Sequence, residues 1–462
     1  MTTEHTRPLT RHAHACPGSP RRLKPLAAGI ALALASMLAQ AQNLQDLYDA
    51  ARGYDATYLA ARSLADAAQW RKAQSDALRL PVANLSASST RNGSDVPNRD
   101  DNFYGTSNLL TLNARQPIYN KANSETISQA EKAYEIALAD LETAEQELIV
   151  RLAQAYFEVL AAQDNLSTVR ANKSAVTEQL ASAKRNFEVG TATITDTREA
   201  QARFDLISAQ EIAGLNDLST KRAALDTLVG RSGIAPKALA TPFAFPPLTR
   251  DIVDDWVSSA DADSPNVRKA RLAYDIAQLE TEKARAGHLP TLDLVGSIGG
   301  SRNTGFSGVG TGTGTLPGTF RNGAIGLQLN VPVFSGFAVQ NRVKETLDLA
   351  EKTRNDLEGA RRSVSLGTRQ AFLGVVSGRA LVKALEAAES SSQLALEATQ
   401  LGYKVGVRVT LDVLNAQTQL FTTQRDLAKA RYDLVLGSFK LRQAAGQLKP
   451  ADVSLANQLL AR

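Results

Sequence analysis

Phe187-Glu-Val-Gly190 and, 216 residues later, Tyr403-Lys-Val-Gly406 are one turn written twice, and the rest of the chain is organised around that repetition. The offset holds on both sides of the turn. Leu141, Glu142 and Ala144 recur as Leu357, Glu358 and Ala360, and Gln154-Ala155 recurs as Gln370-Ala371. Asp196 recurs as Asp412, Ala200-Gln201 as Ala416-Gln417, and Gly230 as Gly446. A period this long exceeds any solenoid unit, so it marks a duplicated half-protein. The first repeat is assigned to 42–247 and the second to 248–462.

Each turn lies inside a run without proline, from Pro117 to Pro236 and from Pro332 to Pro450. In the first run Ile127, Tyr134, Leu141, Leu148 and Ala155 interleave with Leu138, Leu152, Val159 and Leu166, a seam of 3.5-residue period that signals a coiled coil. The pattern predicts helices over about 119–186 and 193–230, then 335–401 and 408–446. At 1.5 Å per residue the longest is roughly 100 Å, too long for one globular core, so it must extend away from the rest. Each returning helix falls short of its partner by about the length of an earlier helical stretch, 55–80 in one copy and 266–286 in the other, so the two are expected to stack end to end. Residues 43–80 read as helical, with Asp55 a candidate N-cap and Pro81 the stop. The Pro-rich stretch from Pro236 to Pro247 is expected to form a band around the helices with both termini.

Ahead of each long helix the period changes to two. Strand pairs are expected at about 81–91 with 103–117, and at about 290–299 with 321–333, so that Pro117 and Pro332 mark the strand-to-helix junctions. Leu85, Leu112, Leu292, Leu294, Leu327 and Leu329 alternate with Asn84, Asn113, Thr291, Asp293, Gln328 and Asn330. In an ordinary globular protein a one-sided hairpin covers a core. Here strands of about 9–11 residues, with Phe103, Tyr104, Tyr119, Phe320 and Phe334 near their ends, fit a transmembrane barrel with interfacial aromatics. Four strands cannot close a barrel, and open edges are not tolerated in lipid, so several chains must share one.

The leader changes the charge argument. Arg21, Arg22 and Lys24 precede an apolar stretch from Leu26 to Ala39, and Ala39-Gln40-Ala41 supplies a cleavage pattern, so 1–41 reads as a secretory signal peptide. It takes 5 of the 52 basic and 1 of the 47 acidic residues, leaving 47 against 46. A mature chain so near neutrality lacks the electrostatic footing for a nucleic-acid partner. Beyond the leader there is no cysteine or methionine and one histidine, His288, which reads as a packing residue before a strand. Disulfides, thiol nucleophiles and Cys/His metal sites are thereby excluded. There is no Walker loop, Gly-x-Ser-x-Gly or His-Glu-x-x-His, so an enzyme and a cofactor are not expected.

Gly287-His-Leu-Pro-Thr-Leu-Asp-Leu294, Asn186-Phe-Glu-Val-Gly190 with Ile194-Thr-Asp196, and Gly402-Tyr-Lys-Val-Gly406 with Leu411-Asp-Val-Leu414 resemble the TolC family of outer-membrane channel-tunnels over essentially the whole mature length. The resemblance implies an α+β membrane protein. Four strands from each of three chains would make one 12-stranded barrel, continuous with a helical tunnel that tapers to a closed periplasmic tip. It also implies an exit duct recruited by an RND or ABC-type inner-membrane pump through a periplasmic adaptor, for efflux of small molecules or type I protein secretion. By the same resemblance Tyr403 and Arg408 would tie the inner coiled coil to the outer through Thr195 and Asp196, and Asp412 would form a threefold acidic ring. Asn415 stands where the best-known members carry a second acidic ring. Val189, Gly190, Val405 and Gly406 would be the tips that the adaptor touches. Capping of a helix accounts for Asp196 without any gate. Ordinary solvated faces account for Arg408 and Asp412. A periplasmic coiled-coil adaptor or structural protein is the alternative for the whole chain.

Overall fold

A computed structural model describes residues 42–94, 103–240, 242–248, 250–304 and 317–461. The expected leader over 1–41 and the hairpin-loop segments 95–102 and 305–316 lie outside them. The described chain opens with α1 (Leu44–Arg52) and α2 (Ala56–Asp76). The helical stretch read over 43–80 forms two helices, divided at the candidate N-cap Asp55. Asp55 takes extended backbone angles, and its carboxylate accepts the Tyr58 N–H at 2.8 Å, which restarts the helix with a side-chain cap. Strands β1 (Val82–Ser94) and β2 (Phe103–Tyr119) lead into α3 (Lys121–Glu188) and α4 (Ile194–Val229). In the second half α5 (Val253–Asp263) and α6 (Pro265–Arg285) precede β3 (Thr291–Thr304), β4 (Gly318–Asn330), α7 (Ala338–Lys404) and α8 (Thr410–Ala444), and α9 (Pro450–Asn457) comes last. The 68 residues of α3 make a rod of roughly 100 Å.

The stacking of short on returning helices is visible at two glycines. Gly230 ends α4 at φ 72°, and a Cβ there would meet the ring of Tyr54, just before α2, at 2.5 Å. Gly446, which follows the end of α8, also has φ 72°, and a Cβ there would meet the Ser264 Cα at 2.6 Å, where α5 gives way to α6. Only glycine fits this left-handed, closely approached position. Copy by copy, a returning helix abuts the start of a short one, and both lie along α3 or α7.

The four strands form one antiparallel sheet in the order β1-β2-β3-β4. Its register gathers one set of residues on each face. Rows Leu292–Leu329, Leu294–Leu327, Ala83–Ala114–Gly296–Ile325 and Leu85–Leu112–Ile298–Gly323 share a face, followed by Ala87–Leu110–Gly300–Arg321. The opposite face carries Asn84–Asn113–Ser297–Ala324 and Ser86–Thr111–Gly299–Asn322. Phe320 falls on this second, polar face with Ser301, so it is not one of the outward interfacial aromatics that the sequence suggested. Its even position on β4 decides the face. Tyr104 does lie on the first face, over Gly93.

The two junctions differ. Pro117 lies within β2, beside an irregularity in the pairing with β3, and β2 runs on to Tyr119. On the other side β4 stops at Asn330 and α7 starts only at Ala338, after Gly336 and Phe337 at φ 61° and 63°. Pro332 thus sits in an irregular linker. With no N–H to donate, it cannot extend the ladder.

The main core lies at the middle of the helical body. Leu44, Leu47 and Tyr48 of α1 pack with Leu148, Leu152, Tyr156 and Phe157 of α3, Leu225 of α4, Tyr432, Val435 and Phe439 of α8, and Val453 of α9. Bridges Gln42–Pro236 and Leu239–Leu460 tie both ends of the described chain to the Pro-rich segment. The Tyr156 hydroxyl donates to the Lys237 carbonyl at 2.9 Å. Burial raises the Tyr156 and Tyr432 hydroxyls well above the usual tyrosine range, so both stay neutral donors.

Candidate functional site

The two helix turns are built alike down to single hydrogen bonds. The Val189 N–H donates to Arg185 O at 3.1 Å, Gly190 to Phe187 O at 3.0 Å, and both Thr191 and Ala192 to Asn186 O at 2.8 and 3.2 Å. Moved by the repeat offset, Val405 donates to Leu401 O at 3.1 Å, Gly406 to Tyr403 O at 3.1 Å, and Val407 and Arg408 to Gly402 O at 2.9 and 3.2 Å. Gly190 and Gly406 stand at φ 79° and 80°, the left-handed position that ends a helix. Val189 and Val405 are exposed at the ends of the rods.

Side chains separate what the backbone repeats. In copy one Asp196 closes a capping box. Its carboxylate accepts the Thr193 N–H at 2.9 Å and the Thr193 hydroxyl at 2.7 Å, while Thr193 Oγ1 accepts the Asp196 N–H at 3.2 Å. In copy two the cap position is Val409, which has no acceptor, so only half the box remains: Asp412 lies 3.5 Å from the Val409 N–H. The freed capacity of Asp412 meets Arg408, four residues earlier, at 3.6 Å. The structure therefore does not bring Arg408 to Thr195 or Asp196 within the chain. Asp196 is occupied by its own cap, Thr195 is exposed, and Arg408, just ahead of α8, reaches the acid in that helix's first turn.

Two other contacts do join the copies near the turns. The Asn186 amide lies 3.4 Å from the Tyr403 hydroxyl, and Arg203 Nη2 donates to Asn415 Oδ1 at 3.1 Å. Asn186 and Arg203 were missed from the sequence. Arg203 lies two turns along the face of Asp196, a signal visible only once the turn is accepted as a site. The Asn415 amide that replaces an expected acid is thus an acceptor for a cation from the other copy. Among the described residues no cluster of acidic or histidine side chains could hold a metal, and no helix is long and apolar enough to cross a membrane.

The other end of the molecule meets a different medium. Leu85, Ile298, Ile325, Leu327 and Leu329 are exposed on the first face of the sheet, Ile325 to 83%. On the polar face Asp293 is 3% exposed and pairs with Arg115 at 2.6 Å. Within the chain each outer strand, β1 and β4, has a pairing partner on one side only. Such edges in lipid require further strands from other copies.

One-sided strands with open edges, continuous with rods of roughly 100 Å, define a subunit of an outer-membrane barrel with a helical tunnel. The comparisons agree. The family model described as outer membrane efflux protein matches residues 47–231 and 256–447. The outer membrane protein TolC of Vibrio cholerae is 33% identical over 95% of this chain and 98% of its own length. The alkaline protease secretion protein AprF of Pseudomonas aeruginosa is 32% identical over 94% of this chain and 91% of its own. The crystal structure of the Campylobacter jejuni CmeC outer membrane channel, 17% identical, superposes with a TM-score of 0.74 over 91% of this chain and 90% of that one. The chain belongs to the outer membrane efflux protein family. It is a Gram-negative outer-membrane protein that extends into the periplasm and functions as a homotrimer, whose three four-stranded sheets close one 12-stranded barrel. The family is one of channels that work with periplasmic adaptors and inner-membrane pumps.

Proposed function

We propose that this chain is a passive exit duct whose periplasmic end is held shut at the turns 188–193 and 404–409 and which carries out no catalytic step. The observation that carries the duct is the sheet: one face is apolar and exposed, the other is polar, and each edge strand lacks a partner on one side within the chain. The gate is carried by the contacts that join unlike copies at the turns, Asn186–Tyr403 and Arg203–Asn415, with Arg408–Asp412 adding charge beside them. Val189, Gly190, Val405 and Gly406 form the surface offered to an adaptor, and the two repeats divide the chain near 247. Cargo is chosen upstream by the pump, so the same duct serves small molecules and secreted polypeptides. AprF is named for secretion of a protease, which supports the second cargo class.

In detergent the mature protein should run as a trimer of roughly 130 kDa. A stable monomer with its full β signal in circular dichroism would sink the shared barrel. Deleting the gene, followed by drug-susceptibility and secreted-proteome measurements, assigns the cargo. If both are unchanged, the exit-duct reading fails.

A further inference from the structure

Towards the turns, α8 of the second copy meets the α3–α4 pair of the first through a small apolar contact. Val176 of α3, Ile207 of α4 and Leu414 of α8 make it, with Val169 and Phe204 alongside. Three polar side chains lie next to these residues on the same helices. Asn172 lies between Val169 and Val176 on one stripe of α3, Ser208 is one turn from Phe204 on α4, and Gln417 is one turn from Leu414 on α8. Asn172 is 8% and Gln417 4% exposed. Asn172 Oδ1, Ser208 Oγ and Gln417 Oε1 are buried with no hydrogen-bond partner among the described residues. The three oxygens are buried by their own chain.

A buried polar atom without a partner carries a desolvation cost that is recovered when it reaches water. The closed seam bears that cost, and a parted seam does not. Nearer the middle of the rods the same helix is held firmly. The Tyr432 hydroxyl donates to Asp164 at 2.6 Å, and Val435 and Phe439 enter the main core. Against the α3–α4 pair, α8 is thus anchored at one end and joined towards its turn only by the small contact around Leu414, the pattern of a seam that opens locally.

We propose that Asn172, Ser208 and Gln417 form a polar break in the seam between α8 and the α3–α4 pair that sets how readily the tip parts, with Gln417 as its principal positioning residue. This rests on the reading of the turns as the gate. There the Asn186–Tyr403 and Arg203–Asn415 contacts oppose opening. The polar break favours it, and the balance keeps the closed state reversible.

The test uses the full mature trimer in planar bilayers and compares wild type with Gln417→Met, Gln417→Asn and Asn172→Leu. Gln417→Met removes the unpaired carbonyl at similar volume, so open probability should fall about tenfold, the order expected for one buried unpaired group. Asn172→Leu should act in the same direction. Gln417→Asn keeps an amide and should stay near wild type. Hydrogen exchange over the amides of 410–420 in the same trimers reads the seam whether or not current flows, and should slow about tenfold in Gln417→Met. A wild type that never conducts counts against the duct, while the exchange result still decides the seam. Unchanged exchange in Gln417→Met and Asn172→Leu trimers, or equal slowing in Gln417→Asn, overturns the proposal.

Discussion

Ala114→Arg and Asn113→Arg differ by one residue on one strand and should differ by the whole thickness of the barrel wall. Ala114 lies in the row Ala83–Ala114–Gly296–Ile325, the third of five rows on the apolar face, and Asn113 lies between Asn84 and Ser297 on the polar face. Five rows two residues apart span roughly 27 Å along a strand at about 3.4 Å per residue, or roughly 20 Å along the membrane normal at a tilt near 40°. That is close to the ~25 Å apolar band of outer-membrane barrels, and it places the Ala114 row at the midplane. The fifth row ends the set with Arg321, an arginine native to this face opposite Gly300. Around Ala114 the cross-strand neighbours are Ala83 and Gly296, so an arginine there has room and its cost is desolvation. That cost is ~2–4 kcal/mol per chain, roughly 6–12 kcal/mol for a trimer, against near zero for the lumen-facing Asn113→Arg. Urea titration of reconstituted trimers, read as the heat-modifiable band on a gel, measures it. If both variants assemble and titrate alike, the strands do not face lipid and the membrane assignment fails.

Tyr403→Phe combined with Arg203→Ser removes two contacts between unlike copies, each worth ~0–1 kcal/mol at an exposed site. Conductance and vancomycin entry should rise several-fold in trimers that assemble normally, and unchanged values would detach these residues from the gate. Gly446→Ala should destabilise more than Gly230→Ala: both force a left-handed alanine, but the first meets Asp263 and Ser264 backbone whereas the second meets a Tyr54 ring free to swing. Gly190→Ala, with open space at φ 79°, should cost only about 1 kcal/mol, and thermal midpoints would reverse this order if the stacked-helix junctions were loose. Burial pushes the Glu158 carboxyl up, but hydrogen bonds from Lys221 and Gln154, both at 2.9 Å, outweigh it and the net shift is downward. Its folded value therefore lies below an unfolded one of about 4.3, so its contribution is present at neutral pH and fades as the pH falls through the folded value. Glu158→Gln should flatten the acid limb of the unfolding midpoint against pH, and an unaltered limb would remove Glu158 from the acid response.

The long helices and the sheet were legible because each is specified by many residues at once. Proline-free heptads run for dozens of positions in α3, and a period of two fixes a face wherever one side is apolar. What escaped rests on few residues. Helix α5 offers 11 residues and α9 only 8, too few turns for a period to show. Phe320 was misplaced because aromatic residues near strand ends suggest an interface, whereas the register puts it on the polar face. At the turns the sequence paired Arg408 with Thr195 and Asp196, whereas within one chain Arg408 lies beside Asp412. Charge complementarity between Arg408 and Asp196 is readable from letters, and so is the Thr193-x-x-Asp196 cap that takes up the same carboxylate, but not which of the two prevails.

Duplication explains why the turns could diverge in this way. The backbone of each turn is fixed by a glycine at positive φ and by main-chain hydrogen bonds that any side chain leaves intact. Residues 192 and 193 of copy one, Ala and Thr, could therefore become Arg408 and Val409 in copy two without disturbing the fold. The Thr-to-Val difference leaves Asp412 with half a capping box, and the Ala-to-Arg difference supplies a cation to fill the remainder. Copy one keeps its acid locked in a cap, and copy two holds its acid through an exposed ion pair that salt can screen. Of the two turns, alike in backbone, the second is thus the one whose acid is held by a charge that can respond to a partner. The polar break at Gln417 lies on the helix that begins there.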